Sequence, residues 1–380
     1  MPADPRPLAV CYGTRPQVIK SSALVEALGE RWALLTVDTG QHYDHALNAG
    51  LYAQLGVPRP QLFLEVGSGD HARQTSAILT AAADAFAAHR PWAVVVVGDT
   101  NSTLGCALAA AKMRIPVVHV EAGLRAADAL MAEEINRRVV DAISAVLCAP
   151  SAAAAAQLRR EGTTGSVAVT GDIARDVLVR NVGRAGAARR APEWPAGDAP
   201  YAFATLHRAE LTDDGAALAA VVEALAGVGL PVVLAAHPRT RLALERCLRG
   251  GALPPDVHLR PPLGYLETLA AVRDASVVVT DSGGVQREAY WLGTPCVTVR
   301  RETEWLETLA CGANVLVPPE LAATDLAPAV RARARRDGAP GAWDRDAYGD
   351  GGAARRIRAA VEAWCAERAV GPDAPPARGE

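Results

Sequence analysis

The chain has 380 residues, too many for one ordinary domain of roughly 150, and its 50% hydrophobic content is ample for cores of real size. Its 39 basic and 42 acidic residues leave a formal charge of -3, so no positive field advertises nucleic acid or an anionic membrane surface, and any phosphate must be held by local geometry. Seven scattered cysteines without a CxxC argue against a disulfide framework or a zinc site; with no leader and no apolar run of about 18 residues, the expected location is the cytoplasm.

Residues 8–12 read as a short apolar strand running into GTRPQVIK, residues 13–20, and then a helical pattern over 21–28. Arg15 and Lys20 can reach a phosphate group from that turn, although lone cations are more often solvated surface charges. A second strand, 33–37, ends in DTGQHYD, an unusual polar collection for a plain loop. A polar connection over 67–74 precedes a helix at 75–89 and a buried strand at 92–97. Asp99 follows that strand; it either caps the helix at 104–113 or faces the carboxyl edge, where open parallel sheets bind ligands. The next strand, 116–120, delivers Glu121, a carboxylate with no obvious structural purpose. A helix beginning near Ala132 carries Glu133 and Glu134 in its first turn and Arg137 one turn on.

Strands at 145–149 and 167–170 flank a helix at 152–160, so the order alternates throughout and predicts α/β with a parallel sheet. Residues 181–200 dissolve into Gly, Ala, Arg and Pro and read as a linker. A second alternating series follows, with strands at 202–206, 231–236, 257–259, 277–279 and 296–299 and helices at 215–226, 241–249 and 266–273. His207 and His237 close its first two strands. After strand 277–279, Asp281, Ser282, Gly283 and Gly284 lead into a helix at 285–292. That handover is a phosphate seat, because the first helical N–H groups lack partners and glycine lets an anion approach; an ordinary capped turn is the plainer alternative. Glu288, one turn further, is placed to accept from ribose hydroxyls. One amphipathic helix lies within 349–370, and residues from 371 on read as a disordered tail. No internal repeat is present, although the two halves share a plan.

Taken together, GTRPQVIK, TGQHYD, VVGDTNSTLGCALAA, VVHVEAGLR, EEINRR, TLHRAE, HPRT, TDSGGVQREA, ETEWLET and GANVLV resemble the non-hydrolysing UDP-N-acetylglucosamine 2-epimerase family, in order and spacing from Leu8 to Val317. The resemblance implies an α/β fold of two Rossmann-like doubly wound domains facing across a cleft, as in GT-B glycosyltransferases. Residues 1–180 would carry the catalytic carboxylates, 181–348 would bind UDP, and the helix within 349–370 would pack back on the first domain. It implies Asp99, Glu121, Glu133 and His207 as catalytic residues. Arg15, Ser282, Gly283 and Gly284 would hold the diphosphate and Glu288 the ribose, with Leu263 and Tyr265 near uracil and Lys20, Arg137 and His237 lining the cleft. Gln41, Arg73 and Gln74 fit an allosteric sugar-nucleotide site found in some bacterial members, although Asp44 stands where a glutamine is expected. The implied reaction inverts C2 of a UDP-linked 2-acetamido sugar by elimination and re-addition of UDP, with no cofactor or metal, in a homodimer.

Departures from the family pattern are Gln17 for a glutamate, Ala132 for a proline, and QREA and TEWLET for QEEA and TERPE. These features resemble the subgroup of UDP-2,3-diacetamido-2,3-dideoxyglucuronate 2-epimerases. A hydrolysing 2-epimerase releasing free N-acetylmannosamine and a GT-B glycosyltransferase are the other readings to be separated.

Overall fold

Consecutive buried β-branched residues decide the architecture. The strand Ala93–Val97, AVVVV, is buried at every position, as is Leu8–Tyr12, which requires a parallel sheet covered on both faces. The structure, a computed structural model, describes residues 6–41, 45–185, 199–248, 253–335 and 341–368, with side chains from residue 50 on in the second span. It divides into two compact units, Met1–Val177 with Tyr348–Glu380, and Leu178–Ala347.

The first unit contains β1 (Leu8–Tyr12), α1 (Arg15–Gly29), β2 (Leu34–Asp38), α2 (His45–Leu55), β3 (Leu62–Phe63), α3 (His71–His89), β4 (Ala93–Val97), α4 (Asn101–Lys112), β5 (Val117–Val120), α5 (Ala132–Ile143), β6 (Val146–Ala149), α6 (Ala152–Arg160), β7 (Ser166–Val169) and the start of α7 (Ile173–Ala185). Its seven strands are ordered β3-β2-β1-β4-β5-β6-β7 and each pairs in parallel with its neighbours. Ala9 stands opposite Leu35 on one side and Val94 on the other. On one face these residues pack with Ile78 and Phe86 of α3 and Ala107 and Ala110 of α4.

The second unit contains β8 (Ala202–Leu206), α8 (Ala209–Thr212), α9 (Gly215–Ala226), β9 (Val232–Ala236), α10 (Pro238–Cys247), β10 (Val257–Arg260), α11 (Tyr265–Asp274), β11 (Val277–Thr280), α12 (Gly283–Leu292), β12 (Cys296–Thr298), α13 (Leu306–Ala310), β13 (Asn314–Leu316) and α14 (Ala327–Arg333). Its order, β10-β9-β8-β11-β12-β13, repeats the plan of the first sheet, again all parallel. Alternation along the strands fills two cores. Ala204, Val277 and Val279 meet Leu218, Val222 and Leu225 of α9, whereas Phe203, Val233 and Val278 meet Val272 and Ala289. In both sheets the order reverses beside the first strand, at β1/β4 and at β8/β11, which is where doubly wound sheets leave a crevice at their carboxyl ends.

The last helix, α15 (Ala353–Arg368), belongs to the first unit and packs against α1. Asp176 of α7 accepts the backbone N–H groups of Ala353 and Ala354, each at 2.9 Å, so a carboxylate distant in sequence caps its amino end.

Helix starts differ from the sequence reading. α1 begins at Arg15, so Lys20 stands on the helix and not in the turn; α3 begins at His71 behind Asp70, whose Oδ1 accepts Arg73 N–H at 3.0 Å. α4 begins at Asn101 with Thr100 as its cap, which removes that duty from Asp99. Helix α2, helix α7 and strand β13 lie where no element was expected. Residues 181–185 of the expected linker belong to α7; residues 186–198, Asp44 and the tail from 371 lie outside the described residues.

Candidate active site

At the carboxyl edge of the first unit, β4 ends in Gly98, whose φ of +70° turns the chain sharply, and Asp99 follows it. Beside it, Glu121 leaves β5 with φ of 72°, a left-handed backbone that costs a non-glycine residue roughly 1–3 kcal/mol. The Glu121 carboxylate lies beside Lys20 of α1, with Nζ 2.7 Å from Oε2 and both side chains largely buried. A methyl group on Gly98 would stand 3.5 Å from that same oxygen and 3.9 Å from Lys20 Nζ, ordinary contact distances, so the left-handed backbone and not crowding calls for glycine here. Asp99 pairs with a different cation. Its Oδ2 is 2.5 Å from Arg137 Nη2, and Asn136 Nδ2 donates to its carbonyl oxygen at 2.8 Å.

α5 separates two adjacent glutamates by about 100° of helix rotation. Glu134 is fully buried and works as an acceptor hub: it takes Arg137 Nη1 at 3.0 Å, Arg138 Nε at 2.8 Å and the Ala126 N–H at 2.9 Å. It therefore fixes Arg137 against Asp99 and anchors the loop before the helix. Glu133 is half-buried and makes no ion pair among the described residues. Burial of charge demands such compensation, and the compensated glutamate is structural.

The β1–α1 turn is packed from beneath. A Cβ on Gly13 would overlap Thr39 Oγ1 at 1.9 Å and Ser102 Oγ at 2.3 Å. Gln17, buried, accepts Gly13 N–H at 2.9 Å through Oε1 while its amide donates to Val97 O at 2.7 Å and Thr103 Oγ1 at 2.9 Å. A carboxylate cannot donate to Val97, so the amide suits this site and ties the turn bearing Arg15 to the end of β4. Arg15 itself, half-buried, occupies the first position of α1.

In the second unit the corresponding edge is built differently. His207 follows β8 and Asp281 follows the adjacent β11. Asp281, buried, accepts the N–H groups of His207 and Arg208 at 2.8 Å each through Oδ2, and His207 Nδ1 lies 3.1 Å from Oδ1. Burial pushes the Asp281 carboxyl up, but the His207 hydrogen bond and charge and those two backbone donors outweigh it and hold it below its ordinary value. The dyad orients an imidazole whose side chain is 48% exposed. The sequence offers Asp281 or Ser282 as the cap of this handover; Ser282 takes it, its Oγ accepting Val285 N–H at 3.4 Å, and Asp281 turns to His207 instead.

Gly283 and Gly284 open α12 for opposite reasons. A methyl on Gly283 would stand 3.0 Å from the Trp305 indole nitrogen and 3.1 Å from Glu304, whereas at Gly284 the only neighbour within 4 Å is Ser282 Oγ at 3.7 Å. Glycine at 283 admits the TEWLET loop, and glycine at 284 leaves the helix start open. Gln286 holds that loop from below, donating to Ser282 O at 3.3 Å and accepting Thr303 Oγ1 at 2.8 Å. Glu288, half-buried, stands on α12 one turn past Gly284. His237 follows β9 and caps α10, accepting Arg239 N–H at 3.4 Å. Tyr265 is buried at the start of α11, and Leu263 packs against the core beneath.

Of the remaining candidates, Gln41 and Gln74 meet. Gln74 donates to Gln41 O at 3.2 Å, and Gln41 Oε1 accepts Ser102 N–H and Oγ–H at 2.9 and 2.7 Å. Arg73 points outward, its side chain 90% exposed.

Two parallel sheets of one strand order, each with polar side chains at the carboxyl ends of its central strands, define a two-domain α/β protein of the GT-B kind. A profile described as UDP-N-acetylglucosamine 2-epimerase matches residues 27–362. The chain belongs to that family. It is 42% identical over 313 residues to the UDP-2,3-diacetamido-2,3-dideoxy-D-glucuronate 2-epimerase of Pseudomonas aeruginosa, covering 80% of this chain and 86% of that one. It is 37% identical over 323 residues to the UDP-N-acetylglucosamine 2-epimerase of Methanocaldococcus jannaschii, covering 82% and 88%. A crystal structure of the UDP-GlcNAc 2-epimerase from the same archaeon, in complex with UDP-GlcNAc and UDP, superposes with a TM-score of 0.85 at 34% identity, covering 94% of this chain and 99% of that chain. Among the described residues, no helix is long and apolar enough to cross a membrane.

Proposed function

We propose that this protein inverts C2 of a UDP-linked 2-acetamido sugar, interconverting UDP-N-acetylglucosamine and UDP-N-acetylmannosamine or a close analogue. The observation that carries the reading is the pair of carboxylates beside Gly98, Asp99 against Arg137 and Glu121 against Lys20. A C2–H is barely acidic, so a carboxylate must remove the proton while the C1–O bond to UDP breaks, leaving a C1=C2 glucal. Return needs a proton delivered to the other face of C2 while the UDP oxygen re-attacks C1, which requires a second acid. Asp99, Glu121 and Glu133 supply these groups. His207, steadied by Asp281, has its outer nitrogen available to the departing phosphate. The N–H groups of Gly283 and Gly284 take phosphate oxygens, Glu288 takes the ribose, and Arg15 adds a cation.

The 42% identical relative favours a second substrate, UDP-2,3-diacetamido-2,3-dideoxyglucuronate. Proton NMR of the protein with each nucleotide in D2O tests both. The expected result is the C2 epimer with deuterium at C2, and the nucleotide with the larger kcat/KM is the substrate. Free N-acetylmannosamine with UDP would make the protein a hydrolysing enzyme; no change with either nucleotide would overturn the proposal.

A further inference from the structure

His119 lies within β5, VVHV, and is fully buried among valines. An imidazole is costly there unless both nitrogens find partners. Both do. Nε2 is 2.8 Å from the carbonyl oxygen of Gly98, and Nδ1 is 2.7 Å from Asp141 Oδ1 near the end of α5. A carbonyl oxygen only accepts, so Nε2 donates in the first bond. Asp141 Oδ2 accepts the Gly123 N–H at 3.1 Å and lies 2.8 Å from Arg125 Nη2.

The three backbone segments tied together are those that present the polar side chains of this edge. Gly98 immediately precedes Asp99, Gly123 closes the turn opened by Glu121, and α5 carries Glu133 and Arg137. The turns are left-handed at Gly98 (+70°), Glu121 (72°) and Gly123 (+86°), so each must be held by its surroundings. A methyl on Gly123 would strike the carbonyl oxygen of Ala154 at 2.4 Å, which presses this turn from the α6 side as Asp141 grips it. None of the four contacts reaches the open edge where a substrate would lie.

We infer that His119 is a positioning residue, which through Asp141 clamps the Asp99 turn, the Glu121 turn and α5 into one geometry. The inference rests on the catalytic reading of Asp99 and Glu121. A displacement on the order of 1 Å in such groups costs about a hundredfold in rate. The clamp therefore acts on kcat and leaves nucleotide binding alone.

Three variants and one spectrum test it. His119→Phe removes both bonds. His119→Asn places an amide near Nδ1 and keeps the bond to Asp141, and His119→Gln places one near Nε2 and keeps the bond to Gly98. The expected result is a kcat about a hundredfold lower in the Phe variant with KM within a few-fold, and partial recovery in both amide variants. In the [15N]histidine-labelled full-length protein, an Nε2–H proton protected from solvent exchange is expected, and it should vanish in His119→Asn. Folded variants with wild-type kcat, a loss confined to KM, or a rapidly exchanging Nε2–H would each overturn the clamp. Wild type inert towards both nucleotides would overturn the reaction reading instead, leaving the clamp to be decided by the protected proton, which needs no substrate.

Discussion

The carboxyl edges of the two sheets share a strand order and a switch point but are built from different materials. In the first unit the edge is made of acidic and basic side chains set against one another, Glu121 against Lys20 and Asp99 and Glu134 against Arg137, with Glu133 outside these pairs. In the second it is made chiefly of backbone, the start of α12 with its two glycines and one exposed imidazole steadied from behind. A helix start offers partial charge that moves little and suits a permanent anion such as a diphosphate. Proton transfer needs groups that gain and lose charge, and these must be held by compensating neighbours. Under the proposed function the same topology supports a binding edge and a reacting edge, and their failure modes should differ.

The side-chain edge should break hardest. Glu134→Ala leaves Arg137 without its buried acceptor, and breaking such a pair costs roughly 3–5 kcal/mol. Chemical denaturation should show that loss; a change under 1 kcal/mol would mean that the hub does not hold α5. Glu121→Gln keeps the shape and removes the carboxylate proposed to move a proton at C2. Turnover should fall at least a hundredfold, about 2.7 kcal/mol, while UDP affinity by calorimetry stays within a few-fold. Full activity would remove Glu121 from the mechanism.

What the sequence showed followed from how local each cause is. Val94 to Val97 and Val277 to Val279 declare buried parallel strands by themselves, so both sheets and the polar residues at their ends were legible. Helix starts were not, because capping residues such as Asp70 and Thr100 have loop composition; only the backbone shows that Thr100 takes the cap and leaves Asp99 to Arg137. Glu133 and Glu134 are indistinguishable as letters and differ only in what the helix turns them towards. The pairings His119 to Asp141, Gln17 to Val97 and Asp281 to His207 join strands and helices far apart in the chain, and one sequence carries no trace of them.

The backbone edge should respond to bulk before charge. Gly283→Val must displace the Trp305 indole and Glu304, an overpacking worth roughly 1–3 kcal/mol, whereas Gly284→Ala meets only an ordinary contact with Ser282 Oγ and should keep wild-type stability. Thermal melts of the two variants compare them directly. Equal destabilisation would mean that the helix start is set by something other than the Trp305 loop.

Asp281→Asn should have a modest effect and the most specific one. The folded carboxyl lies below its ordinary 3.8, because the donors around it outweigh burial and favour the charged form. A group depressed on folding stabilises the fold above its unfolded value, and that stabilisation is lost as pH falls through the folded value. At pH 7 the variant loses the carboxylate's contact with the His207 ring and its charge-assisted bonds from the backbone of residues 207 and 208, about 1.5 kcal/mol. As pH falls below 3.8 the wild type surrenders the same advantage, so the two denaturation midpoints should converge. A gap that stayed constant from pH 7 to about 3 would show that Asp281 acts by shape alone. The imidazole would then owe its orientation to packing and not to the charge behind it.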